Sequence, residues 1–228
     1  YVEGGADTVI DALLETVGET GTLVVPTLTF SVEDFFQDNP PLFDPKSTPS
    51  YTGRITEIFR QRRNAIRSIH PTHSVAAIGP HARYLTADNQ TSQTPCGEST
   101  PFHKLIELGG YLLVIGSRFG QMPSFHVIED RMPAFPLEVY LRQAVAARYL
   151  DNEGIERTML VRLHDPDLAR RRIDNVTKKE RQILTYFVKR GIIKVGYVGH
   201  AKSYLLKAND LEVTLEDLLS QGITIYLT

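Results

Sequence analysis

Residues 100–116, TPFHKLIELGGYLLVIG, place a predicted helix directly before a predicted buried strand. Thr100 is typical of a helix cap, Pro101 suits the first helical position, and Gly109 ends the helix. Residues 111–116 are a short apolar run bounded by turn residues, which is typical of a strand covered on both faces. A helix that leads straight into such a strand is the repeating unit of α/β proteins, so this stretch predicts that fold class.

The same two patterns recur along the rest of the chain. Periodicity predicts further helices at 5–17, 178–189 and 214–220, and further strands at 22–26, 74–79, 157–163 and 192–198. A Thr-x-x-Asp capping box at Thr214 is interpreted as the start of the last helix. Residues 27–49 hold four prolines and no sustained period, so they are predicted to form a long ordered loop, a kind of segment that often carries function.

Length and composition describe one globular domain. The chain has 228 residues, of which 42% are hydrophobic and 23% charged, so it can bury a substantial core. We expect a single domain over residues 1–228, with the stretch from about 137 to 190 as a subdomain on the substrate side. The sequence starts without a methionine and runs straight into a helix, which predicts that an N-terminal portion of the domain is missing.

Charge and cysteine content exclude several classes of protein. The 25 basic and 27 acidic residues give a formal net charge of −2, which does not suit a protein that neutralises many phosphates of a nucleic acid. The sequence has no signal-like leader and no apolar run of roughly twenty residues, so no membrane partner is expected. With a single cysteine, Cys96, it has no internal disulfide, and we predict a soluble cytoplasmic protein.

Several catalytic signatures are missing from the sequence. It has no phosphate-binding P-loop, no dinucleotide-binding glycine motif and no Gly-x-Ser-x-Gly elbow, which argues against nucleotide hydrolysis and serine esterase chemistry. Cys96 has no evident base and is interpreted as inert. His70 and His73 are separated by a proline that disfavours a helical metal-binding pair, so no metal is predicted from them.

The segment from Gly116 to Glu129 leaves a predicted strand, turns, and enters a predicted helix, where α/β enzymes commonly place their chemistry. His126 and Glu129 are three residues apart and share one helical face. The carboxylate can accept a proton from one imidazole nitrogen, which leaves the other nitrogen to take a proton from an amine. The pair therefore predicts a general base, and the alternative is that it forms a surface or a structural hydrogen bond.

A series of separate motifs runs in order along the chain. They are Val2–Ala6 with Gly21–Thr27, Phe43–Pro45, Arg67–Ser68, His70–Pro71, Ser74–Gly79, Ser99–Phe102, Ser124–His126 with Glu129, and Gly199–Ala201. Together they resemble the aminoglycoside 3-N-acetyltransferase family over essentially the whole sequence. The resemblance implies a three-layer α/β/α fold around a central mixed sheet. It also implies direct transfer of an acetyl group from acetyl-coenzyme A to an amino group of an aminoglycoside-like cationic amine, without a covalent enzyme intermediate.

The resemblance also implies roles for particular residues. His126 becomes the general base and Glu129 its orienting partner, and no metal is expected. Glu3, Gly4 and Gly5 lie at a helix start, where unhindered amides can receive the pantetheine or pyrophosphate part of coenzyme A.

Further binding residues are expected on the strand and in the long loop. Ser74 and Val75 are predicted to line the pantetheine. In residues 27–49, Asp34 and Asp44 are predicted to bind the cationic substrate. The alternatives are that Asp44, which precedes Pro45, is an ordinary turn residue and that Asp34 simply faces water.

One departure from the family keeps other readings open. Pro123 stands where the family usually has a threonine, so a hydroxyl expected beside the thioester is absent. The alternatives are a coenzyme A-binding descendant without turnover and a metal-dependent hydrolase that uses His70, His73, His126 and Glu129. The oligomeric state stays open, with a homodimer among the alternatives.

Overall fold

A computed structural model describes residues 2–133 and 135–227, which separate into two compact units. Unit 1 takes the residues up to Pro101 together with Gln143–Leu163. Unit 2 takes Phe102–Arg142 and the residues from His164 onward. The stretch from 137 to 190 is thus divided between the two units.

The described residues form a mixed α/β structure. In chain order the helices are α1 (Gly5–Val17), α2 (Arg54–Arg60), α3 (Ala82–Thr86), α4 (Pro101–Glu107), α5 (Val127–Arg131), α6 (Pro166–Ala169), α7 (Thr177–Lys189) and α8 (Ala208–Ser220). The strands are β1 (Leu23–Pro26), β2 (Leu42–Phe43), β3 (Ile66–Arg67), β4 (Val75–Ile78), β5 (Tyr111–Ile115), β6 (Val145–Leu150), β7 (Glu156–Val161), β8 (Lys194–Val198) and β9 (Ala201–Lys207). Short 3₁₀ helices lie at Glu33–Phe36, Asn89–Thr91, Phe119–Gln121 and Pro123–His126. The predicted α/β class is confirmed.

The strands of the described ranges pair into three small sheets. Unit 1 holds an antiparallel sheet in the order β1-β4-β3 and a mixed sheet in the order β2-β6-β7, in which β2 and β6 are parallel. Unit 2 holds the antiparallel sheet β5-β9-β8. This differs from the single central mixed sheet that the family resemblance implied. The strands are short, with four residues in β1 and two each in β2 and β3.

Most predicted elements are confirmed, but two interpretations are wrong. Strand β5 is not covered on both faces, because Tyr111 and Leu113 are 59% and 43% exposed. Helix α8 begins at Ala208 and not at the predicted capping box. Thr214 lies inside that helix, where its hydroxyl donates to the Asp210 carbonyl, as threonine commonly does in helix interiors. Strands β6 and β9 were not predicted.

Each unit has its own apolar packing. In unit 1, α1 and α2 contribute Ile10 and Phe59 to a cluster with Val25, Ala76 and Ile78 from β1 and β4. This amphipathic contact explains why the helical period over residues 5–17 could be recognised in the sequence.

In unit 2, the ring of Phe119 lies 5.2 Å from Phe125, 5.6 Å from Phe187 and 5.6 Å from Tyr204, measured between centroids. These aromatic contacts fix the turn that follows β5. Across the described ranges, the helices are too short or too polar to cross a lipid bilayer.

Candidate active site

His126 is the last residue of the 3₁₀ helix Pro123–His126, and α5 follows without a break. Pro123 occupies the first position of this helix, where its fixed φ is favourable. The preceding residue, Phe125, is 2% exposed and packs edge-on against Phe119. His126 itself is 7% exposed, so the turn places the imidazole in a buried position.

The predicted contact between His126 and Glu129 is confirmed. His126 Nδ1 lies 2.8 Å from Glu129 Oε2, and the Glu129 side chain is completely buried. The contact is therefore not a surface hydrogen bond, whereas the alternative of a structural hydrogen bond stays open. Since an ionised carboxylate only accepts hydrogen bonds, Nδ1 carries the proton and Nε2 carries the basic lone pair.

Two further groups bind the same carboxylate and were not identified from the sequence. His164 Nε2 lies 2.7 Å from Glu129 Oε2, and the Tyr226 hydroxyl donates to Glu129 Oε1 over 2.7 Å. His164 directly follows the strand predicted at 157–163, and a polar residue at a strand end is a usable signal. Tyr226 lies in a short apolar segment whose pattern carries no such signal.

The ring of His164 is in contact with two other rings. Its centroid lies 4.3 Å from that of His126, with an interplanar angle of 34°, and 4.6 Å from that of Tyr140, with an angle of 42°. Tyr140 in turn donates its hydroxyl to Asp130. The stack restricts His164 to the orientation in which Nε2 meets Glu129.

Burial dominates the protonation of the cluster. It lowers the pKa of His126 to about 4, against the opposing effect of the Glu129 charge. Burial alone would raise the pKa of Glu129, but the charge and hydrogen bonds of His126 and His164 hold it well below its usual range. Burial and the Glu129 charge raise the pKa of Tyr226. At neutral pH the cluster thus holds an ionised carboxylate beside a neutral imidazole of His126.

His126, Glu129 and His164 are also the described residues whose side chains could together hold a metal ion, with ligand atoms within 4.8 Å of one another. His70 and His73 are not part of this group. His70 Nδ1 accepts from the amides of Thr72 and His73, at 3.3 and 3.0 Å, within a turn of unit 1. The four-residue metal set of the hydrolase alternative is therefore not formed as one group.

The residues predicted for cofactor binding at the chain start lie at the beginning of α1. Gly4 is the N-cap, with φ of +78°, and Gly5 opens the helix with φ of +68°. A Cβ on Gly4 would also collide with the Thr8 side chain, so glycine is required there. Glu3, Gly4 and Gly5 are exposed, and this end of the 13-residue helix is accessible to an anion.

Ser74 and Val75 are buried inside unit 1. Ser74 Oγ donates to the Thr27 carbonyl over 2.7 Å, and the Arg67 Nε donates to the same Oγ over 3.1 Å. Val75 pairs with Pro26 in the sheet and is 2% exposed. Both residues are thus buried at the start of β4. Their contact with a cofactor stays a prediction.

Asp34 and Asp44 each bind their own turn. Asp34 Oδ2 accepts from the Ser31 amide over 2.7 Å. Asp44 accepts from the Lys46 amide over 2.8 Å and from the Ser47 hydroxyl over 2.6 Å. Although burial raises the pKa of Asp44, these hydrogen bonds lower it further, so the net shift is downward. Both side chains are partly exposed, and their contact with a substrate stays a prediction.

A cleft of about 650 Å³ also lies in unit 2, away from His126. Its lining includes Ser117, Arg118, Thr177, Arg181 and Lys202. His200 and Glu180 also line this cleft, whereas His126 and Glu129 are not among its lining residues.

Comparison with known proteins gives a consistent result. Residues 1–220 match the family model described as aminoglycoside 3-N-acetyltransferase. The chain is 32% identical over 238 residues to aminoglycoside N(3)-acetyltransferase VII of Streptomyces paromomycinus, an alignment that covers 92% of this chain and 78% of that protein.

Solved structures agree with this. The structure of AAC-VIa bound to sisomicin superimposes with a TM-score of 0.76 at 26% identity, covering 96% of this chain and 86% of that one. The binary complex of AAC-IIIb with CoASH has a TM-score of 0.81 at 23% identity, covering 99% and 87%, and shows the same fold.

Proposed function

This chain belongs to the aminoglycoside 3-N-acetyltransferase family and is an aminoglycoside N(3)-acetyltransferase-like enzyme, and from that premise we propose that His126 is its general base. The proposed reaction moves an acetyl group directly from acetyl-coenzyme A to an amino group of an aminoglycoside-like cationic amine. The observation that carries the proposal is the buried hydrogen bond between His126 Nδ1 and Glu129. We further propose that residues 1–228 work as one acetyltransferase-like domain, since the family model spans both units.

The proposed mechanism follows from the protonation of this pair. Glu129 holds the proton on Nδ1, so Nε2 of His126 is the basic atom that takes a proton from the substrate amine. As the imidazole becomes positively charged, the ionised carboxylate 2.8 Å away stabilises that charge. Because the pair is buried, little water screens this interaction. The charge of Glu129 thus offsets part of the cost of protonating an imidazole whose pKa burial lowers to about 4, and in this way it supports proton transfer from the amine.

Acetyl-coenzyme A would supply the activated acetyl group. The accessible start of α1 fits an anionic part of such a ligand, because Gly4 and Gly5 carry no side chains there and the helix dipole favours negative charge. We propose that Glu3, Gly4 and Gly5 bind it. Ser74 and Val75 are buried and are held by contacts inside unit 1. We propose that they form part of the surface that lines the pantetheine.

The proposed acceptor is a cationic amine. Solved structures of related acetyltransferases contain sisomicin or a gentamicin. Asp34 and Asp44 are proposed to attract such a ligand from the loop of residues 27–49. Both side chains are partly exposed, and such carboxylates attract polycations at low salt.

The proposal is tested by following free thiol release when acetyl-coenzyme A is mixed with a panel of aminoglycosides and simple polyamines. We expect turnover by the wild type and a loss of at least about 100-fold in kcat for His126→Ala. His81→Ala, which replaces an exposed histidine in unit 1, is the matched control and should keep wild-type turnover. Unchanged thiol release by His126→Ala would remove His126 as the base.

The metal-dependent hydrolase is the second candidate, since His126, Glu129 and His164 offer ligand atoms to one ion. Against it, the imidazole protons of His126 and His164 already point at Glu129, so an ion would have to displace both. Metal analysis of the active enzyme decides between the two. Stoichiometric zinc with activity lost to a chelator supports the hydrolase, and metal-free turnover supports the transferase.

A coenzyme A-binding descendant without turnover is the third reading, motivated by Pro123. It predicts that coenzyme A raises the melting temperature while no amine in the panel yields free thiol. Measurable thiol release excludes it.

A further inference from the structure

Glu129 is held by more groups than a two-residue base requires. Its fully buried carboxylate accepts hydrogen bonds from His126, His164 and Tyr226. The last two residues follow Glu129 by 35 and 97 positions in the chain. They are therefore brought to Glu129 by the fold of unit 2 and not by the local turn.

His164 is fixed as a donor. Because Glu129 is ionised, the proton of the contact belongs to His164 Nε2. The rings of His126 and Tyr140 both pack against the imidazole, with centroids 4.3 and 4.6 Å from its own, and these contacts restrict its rotation. His164 thus binds the same oxygen, Oε2, that orients His126.

Tyr226 is fixed as a donor to the other oxygen. The residue is 1% exposed, and its raised pKa keeps the hydroxyl protonated. Its backbone forms an isolated β-bridge with Arg172, and the next residue donates its amide to the Arg171 carbonyl over 2.8 Å. The backbone that carries Tyr226 is thus attached to Arg171 and Arg172 at residues 226 and 227.

These contacts have a defined physical effect. A buried carboxylate without partners gains a proton easily, whereas donors to both oxygens keep it ionised and fix its plane. A carboxylate that turned or became neutral could no longer hold the proton on His126 Nδ1. The neutral imidazole could then carry its proton on either nitrogen. Nε2 would be the basic nitrogen in only part of the molecules, and amine deprotonation would slow.

We infer that His164 and Tyr226 are positioning residues of the acetyl transfer, which hold Glu129 ionised and in the one orientation that presents His126 Nε2 as the base. This inference rests on the proposed function. Neither residue is proposed to touch the substrate. Both act through Glu129.

The test uses variants that remove one donor each. Tyr226→Phe deletes only the hydroxyl, and His164→Leu deletes the imidazole donor, whereas His164→Gln keeps an amide donor near the position of Nε2. We expect kcat to fall about 10- to 100-fold in Tyr226→Phe and His164→Leu, with the KM of both substrates within about twofold of wild type. His164→Gln should recover most of the loss.

The pH profile separates positioning from a general effect on folding. The charged and titratable groups that face the cluster are His126, His164, Tyr226, Arg172 with its partner Asp174, and Asp130 through Tyr140. With a donor removed, Glu129 becomes more basic and favours protonated His126. The acidic limb of kcat/KM should therefore move to higher pH in Tyr226→Phe and His164→Leu.

Tyr186→Phe is the matched control. Tyr186 also belongs to unit 2 and also donates its hydroxyl to a carboxylate, Asp217 Oδ2, over 2.6 Å. The control should keep the wild-type kcat and pH profile. A loss of kcat in Tyr226→Phe and His164→Leu that His164→Gln does not recover, with an unmoved acidic limb, would show a merely structural role and overturn the inference.

A measurement without turnover separates this inference from the proposed function. The Nδ1 proton of His126 is assigned by NMR as the downfield signal that disappears in His126→Ala. It should shift in Tyr226→Phe and stay in place in Tyr186→Phe. If wild type acetylates no amine and this signal still shifts, the acetyl transfer fails while the positioning contact stands. If the signal and the kinetics are both unchanged in Tyr226→Phe, the positioning inference fails.

Discussion

At the residue scale, the buried charge of Glu129 is the most sensitive point of the site. Glu129→Gln keeps the shape, but its amide nitrogen cannot accept from the three donors around the carboxylate. We expect kcat to fall at least about 10-fold and the free energy of unfolding to drop by about 1–3 kcal/mol. Thiol-release kinetics and urea denaturation measure the two effects.

Asp217→Asn is the control for this substitution. Asp217 also accepts a tyrosine hydroxyl, but it is only partly buried and lies outside the cluster. The control should keep the wild-type kcat. An equal loss of kcat in both variants would contradict a special role for Glu129.

The two buried histidines, His126 and His70, should make the stability of the protein depend on pH. Burial lowers the pKa of His126 and of His70 from 6.5 to about 4, so the unfolded chain binds more protons than the folded chain between these values. The free energy of unfolding should therefore fall as the pH drops from about 6.5 towards 4, by up to about 1.4 kcal/mol per pH unit for each histidine. Glu129, whose pKa is lowered from 4.5, adds its own loss only below that pH.

Urea midpoints measured between pH 7 and pH 4 check this slope. In His70→Asn, the amide oxygen keeps an acceptor for the Thr72 and His73 amides but cannot titrate in this range. The variant should lose about half of the slope. A slope unaffected by the substitution would show that His70 does not contribute to it.

At the scale of elements, the 3₁₀ helix Pro123–His126 couples stability to chemistry. Pro123 rigidifies the first position of this helix, and the family resemblance implies a threonine hydroxyl there. We expect Pro123→Thr to lower the unfolding free energy by about 0.4–1 kcal/mol and to raise kcat. Pro123→Ala removes the ring without adding a hydroxyl, so kcat should rise only in the threonine variant, and a rise in both would assign the effect to loss of the ring.

The loop of residues 27–49 depends on one buried side chain. Arg67 donates five hydrogen bonds, to Thr27, Ser74, Pro45 and Thr48, and burial lowers its pKa to about 10. Lysine cannot reproduce this planar set of donors. We expect Arg67→Lys to cost about 2–3 kcal/mol of stability and to raise the KM of the amine, because the loop that holds Asp44 loosens.

Limited proteolysis of this loop and substrate kinetics check the prediction. Arg83→Lys, at an exposed position of α3, should leave both unchanged. If the loop of Arg67→Lys is cleaved as slowly as that of the wild type, the loop does not need Arg67.

The elements also show what the sequence could predict. Helices α1, α4 and α7 each bury one face, so their apolar residues recur in the sequence at helical spacing. The His126–Glu129 contact could be predicted because it lies within a single turn. The pairing of β9 with β5 and the contact of Tyr226 with Glu129 join residues far apart along the chain, which no local pattern encodes. The three small sheets escaped prediction for the same reason, because two-residue strands such as β2 and β3 carry no period of their own.

At the scale of the whole molecule, ligand binding should be visible as stability. Coenzyme A that binds only the folded chain stabilises it by about 2.7 kcal/mol at a concentration of 100 times its Kd. We therefore expect the melting temperature to rise with coenzyme A, and less so in Gly4→Ala after correction for that variant's own lower stability. Equal shifts in wild type and Gly4→Ala would place the ligand away from the start of α1.

Tyr226 follows Glu129 by 97 residues, so it is synthesised later than the carboxylate to which it donates. Ribosomes add about 5–20 residues per second, so roughly 5–20 seconds pass between the synthesis of Glu129 and that of Tyr226. During that interval the nascent chain exposes a carboxylate with an incomplete set of donors. We therefore expect the hydrogen bonds around Glu129 to be complete only after the end of this stretch has been translated and has packed against unit 2.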